Sequence, residues 1–126
     1  MAKLMTTFNR ANNKAAAFDF AAFEANAVQA ANLLRALGNE RRLMILCKLV
    51  EWGEANVGAL SEAVGLSQSA LSQHLARMRE EGIVAFRRDS QTIWYRIDDP
   101  RTEQLLATLH RLFCRPLPKS RKGTSR

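Results

Sequence analysis

Residues 57–97 constrain the fold more than any other part of this chain, because the apolar period changes within them. A short helical stretch over 57–64 runs into Gly65-Leu66-Ser67, a tight turn that ends on a good helix N-cap. A second helix is expected from that cap through Glu80, with Leu71, Leu75 and Met78 at i, i+4 and i+7 facing the core and Gly82 as its stop. Two β-rich runs follow, 83–88 and 92–97, around the polar connector Asp89-Ser90-Gln91. In the second run Ile93, Tyr95 and Ile97 alternate with Thr92, Trp94 and Arg96, the pattern of a half-buried strand. Short helix, turn, helix and basic hairpin together make a winged helix-turn-helix.

The flanks add helices. An alanine-rich helix is expected over 18–37, with Phe20, Phe23, Ala27, Leu34 and Leu37 at helical spacing and Gly38 as its stop. Either close helix–helix approach, as across a dimer, or plain helix propensity would account for so much alanine. Asn39 can cap the next helix, 40–52, where Leu43, Leu46, Cys47 and Val50 fall on one face. Asp99-Pro100 opens a last helix ending near Phe113. The expected fold is mostly α with a β-hairpin wing, in the order α-α-α-α-β-β-α. Residues 16–114 form one domain between a flexible segment, 1–15, and a basic disordered tail, 115–126.

Charge is weaker evidence for a polyanion than it first looks. The chain of 126 residues carries a net +7, but Arg115, Lys119, Arg121, Lys122 and Arg126 supply +5 of it in an acid-free tail. The argument for nucleic acid rests on the helix over 67–80, whose polar face shows Gln68, Ser69, Ser72, Gln73 and Arg77 and no acid. Amides, hydroxyls and guanidinium groups read base edges and phosphates, and the N-terminal part of such a helix enters the major groove. Arg87, Arg88 and Gln91 in the wing suit a minor groove or the phosphate backbone. A protein-binding winged helix is the rival of another class. No glycine-rich phosphate loop or nucleophile–base–acid set stands out, so an enzyme is not expected. No apolar run reaches the roughly 20 residues needed to span a bilayer, and no signal peptide is evident, so the expected compartment is the cytoplasm.

The string GLSQSALSQHLARMREEGIV (65–84), with Arg87-Arg88, QTIWYRI (91–97) and LGNERRLMIL (37–46), resembles the ArsR/SmtB family of bacterial repressors over about residues 25–114. The resemblance implies a homodimer, built by the first and last helices, that binds a double-stranded, inverted-repeat DNA operator and is released by an effector. It places Gln68, Ser69, Ser72 and Gln73 at base-reading positions. The family's metal sites, a Cys-x-Cys pair or Asp/His/Glu ligands on the last helix, have no counterpart here, and no cofactor is implied. Instead Cys47 and Cys114 resemble the paired thiols of the sulfane-sulfur-sensing branch. That resemblance implies an inducer, a persulfide or polysulfide, that bridges the two cysteines and relieves repression of genes handling hydrogen sulfide. A general peroxide-type redox sensor and a metal sensor with an unusual site are the alternatives. On its residues alone, Cys47 reads as a core cysteine with a raised pKa that Lys48 could offset. Cys114, between Arg111 and Arg115, is expected to react first.

Overall fold

The computed structural model describes residues 17–114. Its elements run α1 (Phe20–Ala25), α2 (Ala27–Leu37), α3 (Glu40–Trp52), β1 (Ala55–Asn56), α4 (Val57–Val64), α5 (Gln68–Glu80), β2 (Val84–Asp89), β3 (Thr92–Ile97) and α6 (Pro100–Cys114). The expected flexible segment 1–15 and basic tail 115–126 lie outside the described residues. The described residues divide into two compact units, 17–35 and 36–114.

In the first unit the expected single helix is two. Asp19 caps α1 by accepting from the Ala22 N–H at 3.1 Å. At Asn26 the side-chain amide takes the Ala22 carbonyl, at 3.0 Å, and the backbone N–H turns to Phe23 O instead. An asparagine that captures the i−4 carbonyl removes the bond that would continue the helix. The Asn26 carbonyl then accepts from Ala30 and opens α2. Spacing shows an apolar stripe continuing through this point. It does not show one amide competing with the backbone.

The second unit holds the winged helix-turn-helix. Leu46, Leu49, Leu60, Leu71, Leu75 and Met78 are buried between α3, α4 and α5, with Ile83 and Val84 below them and Leu106 from α6. Asn39 caps α3, accepting from the Arg42 N–H at 3.1 Å. Asn39→Ala should therefore cost about 1 kcal/mol of stability, seen as a lower urea midpoint with an unchanged slope. The turn between α4 and α5 depends on Gly65, whose φ of 71° lies in the left-handed region. Its N–H closes α4 on Ser61 O, the Ser61 hydroxyl donates to Leu66 O, and Ser67 Oγ accepts from Ala70 to start α5.

Three expectations for this unit change. The buried positions of α3 are Ile45, Leu46 and Leu49, while Met44, Cys47 and Val50 are exposed. The apolar residues of α3 wrap around the helix, so spacing alone chose the wrong stripe, and Cys47 is no core residue in this chain. The hairpin loop has two residues, Ser90 and Gln91, not three, because Asp89 pairs with Thr92 while Ser90 takes a positive φ of 60°. The strand β1, not foreseen, pairs Ala55 with Tyr95 and Asn56 with Trp94, which puts β3 in the centre of a three-stranded sheet. All six β3 residues are consequently half-buried and the expected in/out alternation does not show in their exposure.

Candidate functional site

Helix α5 presents the expected surface. Its inward side is closed by Leu71, Leu75 and Met78, and Gln68, Ser69, Ser72, Gln73 and Arg77 are all exposed. No acidic residue occurs between Ser67 and Arg79 to repel a phosphate. Arg79 stacks on Phe86 of β2, its guanidinium carbon 4.5 Å from the ring centroid. Phe86 in turn meets Tyr95 edge-on at 5.6 Å. These contacts join the end of α5 to the wing.

The two wing arginines differ. Neighbours on a strand point to opposite faces. Arg87 lies on the face that carries Trp94, opposite it in register, with its guanidinium 5.8 Å from the Trp94 ring centroid. It also makes a two-pronged ion pair with Glu54, Nε–Oε2 and Nη2–Oε1 both at 2.9 Å. The pairing holds the Glu54 carboxyl below its ordinary value, and the Arg96 charge adds to the effect. Arg88 sits on the other face, exposed, with no ion-pair partner among the described residues, and Gln91 is exposed at the tip. Arg87 is thus largely neutralised at the wing base while Arg88 is available to a phosphate. Sequence could not separate them, because Glu54 is 33 positions upstream of Arg87. Changing Glu54→Gln frees Arg87. DNA affinity at low salt should then rise several-fold and its salt slope steepen by about one, read by fluorescence anisotropy.

The thiols are the second feature. Cys47 on α3 and Cys114 at the end of α6 are both free and exposed. They lie close enough to interact: partial desolvation pushes the Cys47 thiol up first, and a Cys114 thiolate pushes it up further. Lys48 is not the activator its position suggested. Its ammonium pairs with Glu51 at 2.8 Å and sits 4.9 Å from the Trp52 ring centroid. Arg111, one turn before Cys114, donates to Thr108 Oγ1 at 3.1 Å, and Arg115 lies outside the described residues. Among the described residues no group of three or more His, Cys, Asp or Glu side chains is placed to hold a metal ion. No described helix is long and apolar enough to cross a membrane.

A family model described as bacterial regulatory protein, arsR family, matches residues 39–85, from the cap of α3 into the wing. The transcriptional activator HlyU of Vibrio cholerae is 45% identical over 101 residues, covering 80% of this chain and 93% of HlyU. The solved structure of reduced HlyU superposes with a TM-score of 0.68 over 73% of this chain and 96% of that one. The HTH-type transcriptional regulator YgaV of Escherichia coli is 44% identical over 96 residues, 76% of this chain and 97% of YgaV. The crystal structure of the transcriptional repressor BigR from Xylella fastidiosa gives a TM-score of 0.73 at 40% identity, over 79% of this chain and all of that one. Relatives matched over nearly their whole length, with the helix-turn-helix and wing in place, show that this chain belongs to the ArsR family of bacterial transcriptional regulators.

Proposed function

We propose that this regulator is a homodimeric repressor that binds an inverted-repeat operator through α5 and the wing and lets go when sulfane sulfur bridges Cys47 and Cys114. The observation that carries the reading is that these two free thiols lie near each other. They are the chain's two cysteines, 67 positions apart in sequence, yet each lies within electrostatic reach of the other. One is on the helix that supports the reading unit and the other at the end of the last helix. Similarity to a repressor, BigR, and to HlyU, solved in a form described as reduced, supports a thiol-responsive regulator over an enzyme. The exposed apolar side chains Phe20, Phe23, Val28 and Leu34 on α1 and α2, and Leu112 and Phe113 on α6, support burial of these helices against a second copy. A DNA-binding protein of this kind acts in the bacterial cytoplasm.

The chemistry balances without a cofactor. A Cys114 thiolate attacks the outer sulfur of a persulfide and releases a thiolate, leaving Cys114 as a persulfide. That persulfide takes a second sulfur from another donor in the same way, and Cys47 then displaces hydrosulfide. With one sulfur retained, two thiols and two persulfides give a trisulfide bridge, two low-molecular-weight thiols and one hydrogen sulfide. Cys47, whose thiol partial desolvation pushes up, is mostly protonated at neutral pH and acts second. The released hydrogen sulfide fits control of genes for sulfide and reactive-sulfur detoxification.

Mass spectrometry of the protein after treatment with a persulfide donor tests the reading. A cross-linked peptide pair containing Cys47 and Cys114 with added sulfur, and loss of operator binding in the same sample, are expected. Equal release by hydrogen peroxide would instead make it a general thiol sensor. Release by a metal ion, with both thiols unmodified, would make it a metal sensor.

A further inference from the structure

A basic cluster lies where the start of α3 meets the outer half of α5, apart from the wing and the thiols. Arg42 is almost buried there. One of its terminal nitrogens donates to the Ala36 carbonyl at 2.9 Å and reaches the Glu81 carboxylate at 3.4 Å. Glu81 therefore balances Arg42. Arg41 and Arg77 are exposed and have no ion-pair partner among the described residues. Half-buried His74 lies three residues before Arg77 on α5 and within electrostatic reach of Arg42 and Arg41, on the turn that also carries the base-reading candidate Gln73. Its imidazole is pushed below the ordinary value of 6.5 by desolvation, then by Arg42, Arg41 and Arg77, and no acid acts on it.

Two exposed guanidinium groups without a carboxylate partner among the described residues, beside an imidazole whose charged form they disfavour, suit an anion at the rim of the reading face. Arg77 is one turn beyond Gln73, on the same side of α5. An anion held here belongs to whatever α5 docks against. The geometry points to a phosphate-binding site for the DNA backbone, formed by Arg41, His74 and Arg77, that extends the interface from the reading helix onto α3. The inference rests on the DNA-binding reading above. A phosphodiester carries one charge, matches the fork of a guanidinium and carries no sequence information, so this site sets register and affinity and leaves base choice to the N-terminal part of α5.

Proton uptake follows. In the free protein Arg42, Arg41 and Arg77 all oppose a charge on His74. A seated phosphate offsets the arginines and favours the imidazolium. Binding then takes up a proton, and affinity rises as pH falls through the imidazole range.

The test uses the full chain, reduced, with a fluorescent random-sequence duplex of about 30 base pairs, long enough for two half-sites one turn apart. Phosphate contacts do not need the operator. Arg41→Gln should weaken binding several-fold near 0.1 M salt and reduce the salt slope by about 0.9 per phosphate lost, while Arg41→Lys keeps the slope. Wild-type affinity should increase several-fold from about pH 7.5 to about pH 5.5. His74→Gln should flatten most of that increase. Unchanged slope in Arg41→Gln, or full pH dependence in His74→Gln, overturns the site. Melting curves that superpose on wild type exclude unfolding as the cause of any loss. Failure of the wild type to bind in a salt-dependent way is a different result: it removes the DNA-binding reading itself.

Discussion

Cys114→Ser should bind operator as tightly as the wild type and fail to release it when a persulfide donor is added. In regulators that couple two sites, the effector typically changes affinity by about 5- to 150-fold. For this variant the factor should be close to one. Cys47→Ser should also fail to release, with a different chemical signature. Cys114 is still present in it to accept sulfur, so intact mass should show added sulfur with no bridge. In Cys114→Ser the remaining thiol is Cys47, whose proton affinity burial has raised, and sulfur uptake at neutral pH should be slow. The sign of the pH effect follows. Raising pH toward and past the ordinary cysteine value creates the Cys47 thiolate, so bridge closure accelerates. Rapid sulfur uptake at Cys47 in Cys114→Ser would reverse the proposed order, and release of DNA by that variant would defeat the bridge altogether.

The physical reason to expect a large effect is leverage. A direct disulfide requires Cα atoms within about 4.4–6.8 Å, and added sulfurs relax that limit. A bridge ties α3 to the end of α6. Helix α3 contributes Ile45, Leu46 and Leu49 to the core on which α5 sits, and Arg42 of the same helix touches Glu81 at the end of α5. A small rotation of α3 is therefore transmitted to the reading helix by packed side chains, which shift between discrete arrangements more readily than they deform.

Much of this architecture was legible because its signals are local. Ser67, Asn39 and Asp99 cap the helices that follow them, and the limits of α3, α4 and the wing strands came out within a residue or so of expectation. What the sequence hid depends on partners distant in the chain or on competition within one turn. The break at Asn26 comes from a side-chain amide taking a carbonyl. The exposure of Cys47 reflects a helix with more apolar positions than one stripe can hold. The central place of β3 depends on Ala55 and Asn56, which are too short a run to register as a strand. The neutralised state of Arg87 depends on Glu54. The exposed polar face of α5 was visible because an acid-free polar face is a property of composition at one period. The closeness of the thiols could be reached only through resemblance until the structure brought α3 and α6 together.

The sharpest test of how this protein chooses its DNA is Gln73→Ala, with Gln68→Ala as its companion. Both glutamines are exposed on α5, and alanine is the better helix former, so the fold should be kept or slightly stabilised. A side-chain amide that reads a base edge through paired hydrogen bonds contributes about 1–3 kcal/mol of discrimination. In a dimer on an inverted repeat each substitution counts twice, or about 2–6 kcal/mol, roughly 30- to more than 10,000-fold in operator affinity. The loss should be confined to the operator. Binding to a random duplex, which depends on phosphate contacts, should be nearly unchanged, and the salt slope should stay the same. Arg88→Gln should do the opposite, weakening both duplexes alike and reducing the slope. The ratio of the two affinities therefore decides between roles that affinity alone confuses. If Gln73→Ala and Gln68→Ala both lower the two affinities equally, the amides touch the backbone. Base choice would then have to come from Ser69 and Ser72 or from the shape of the groove read by the wing.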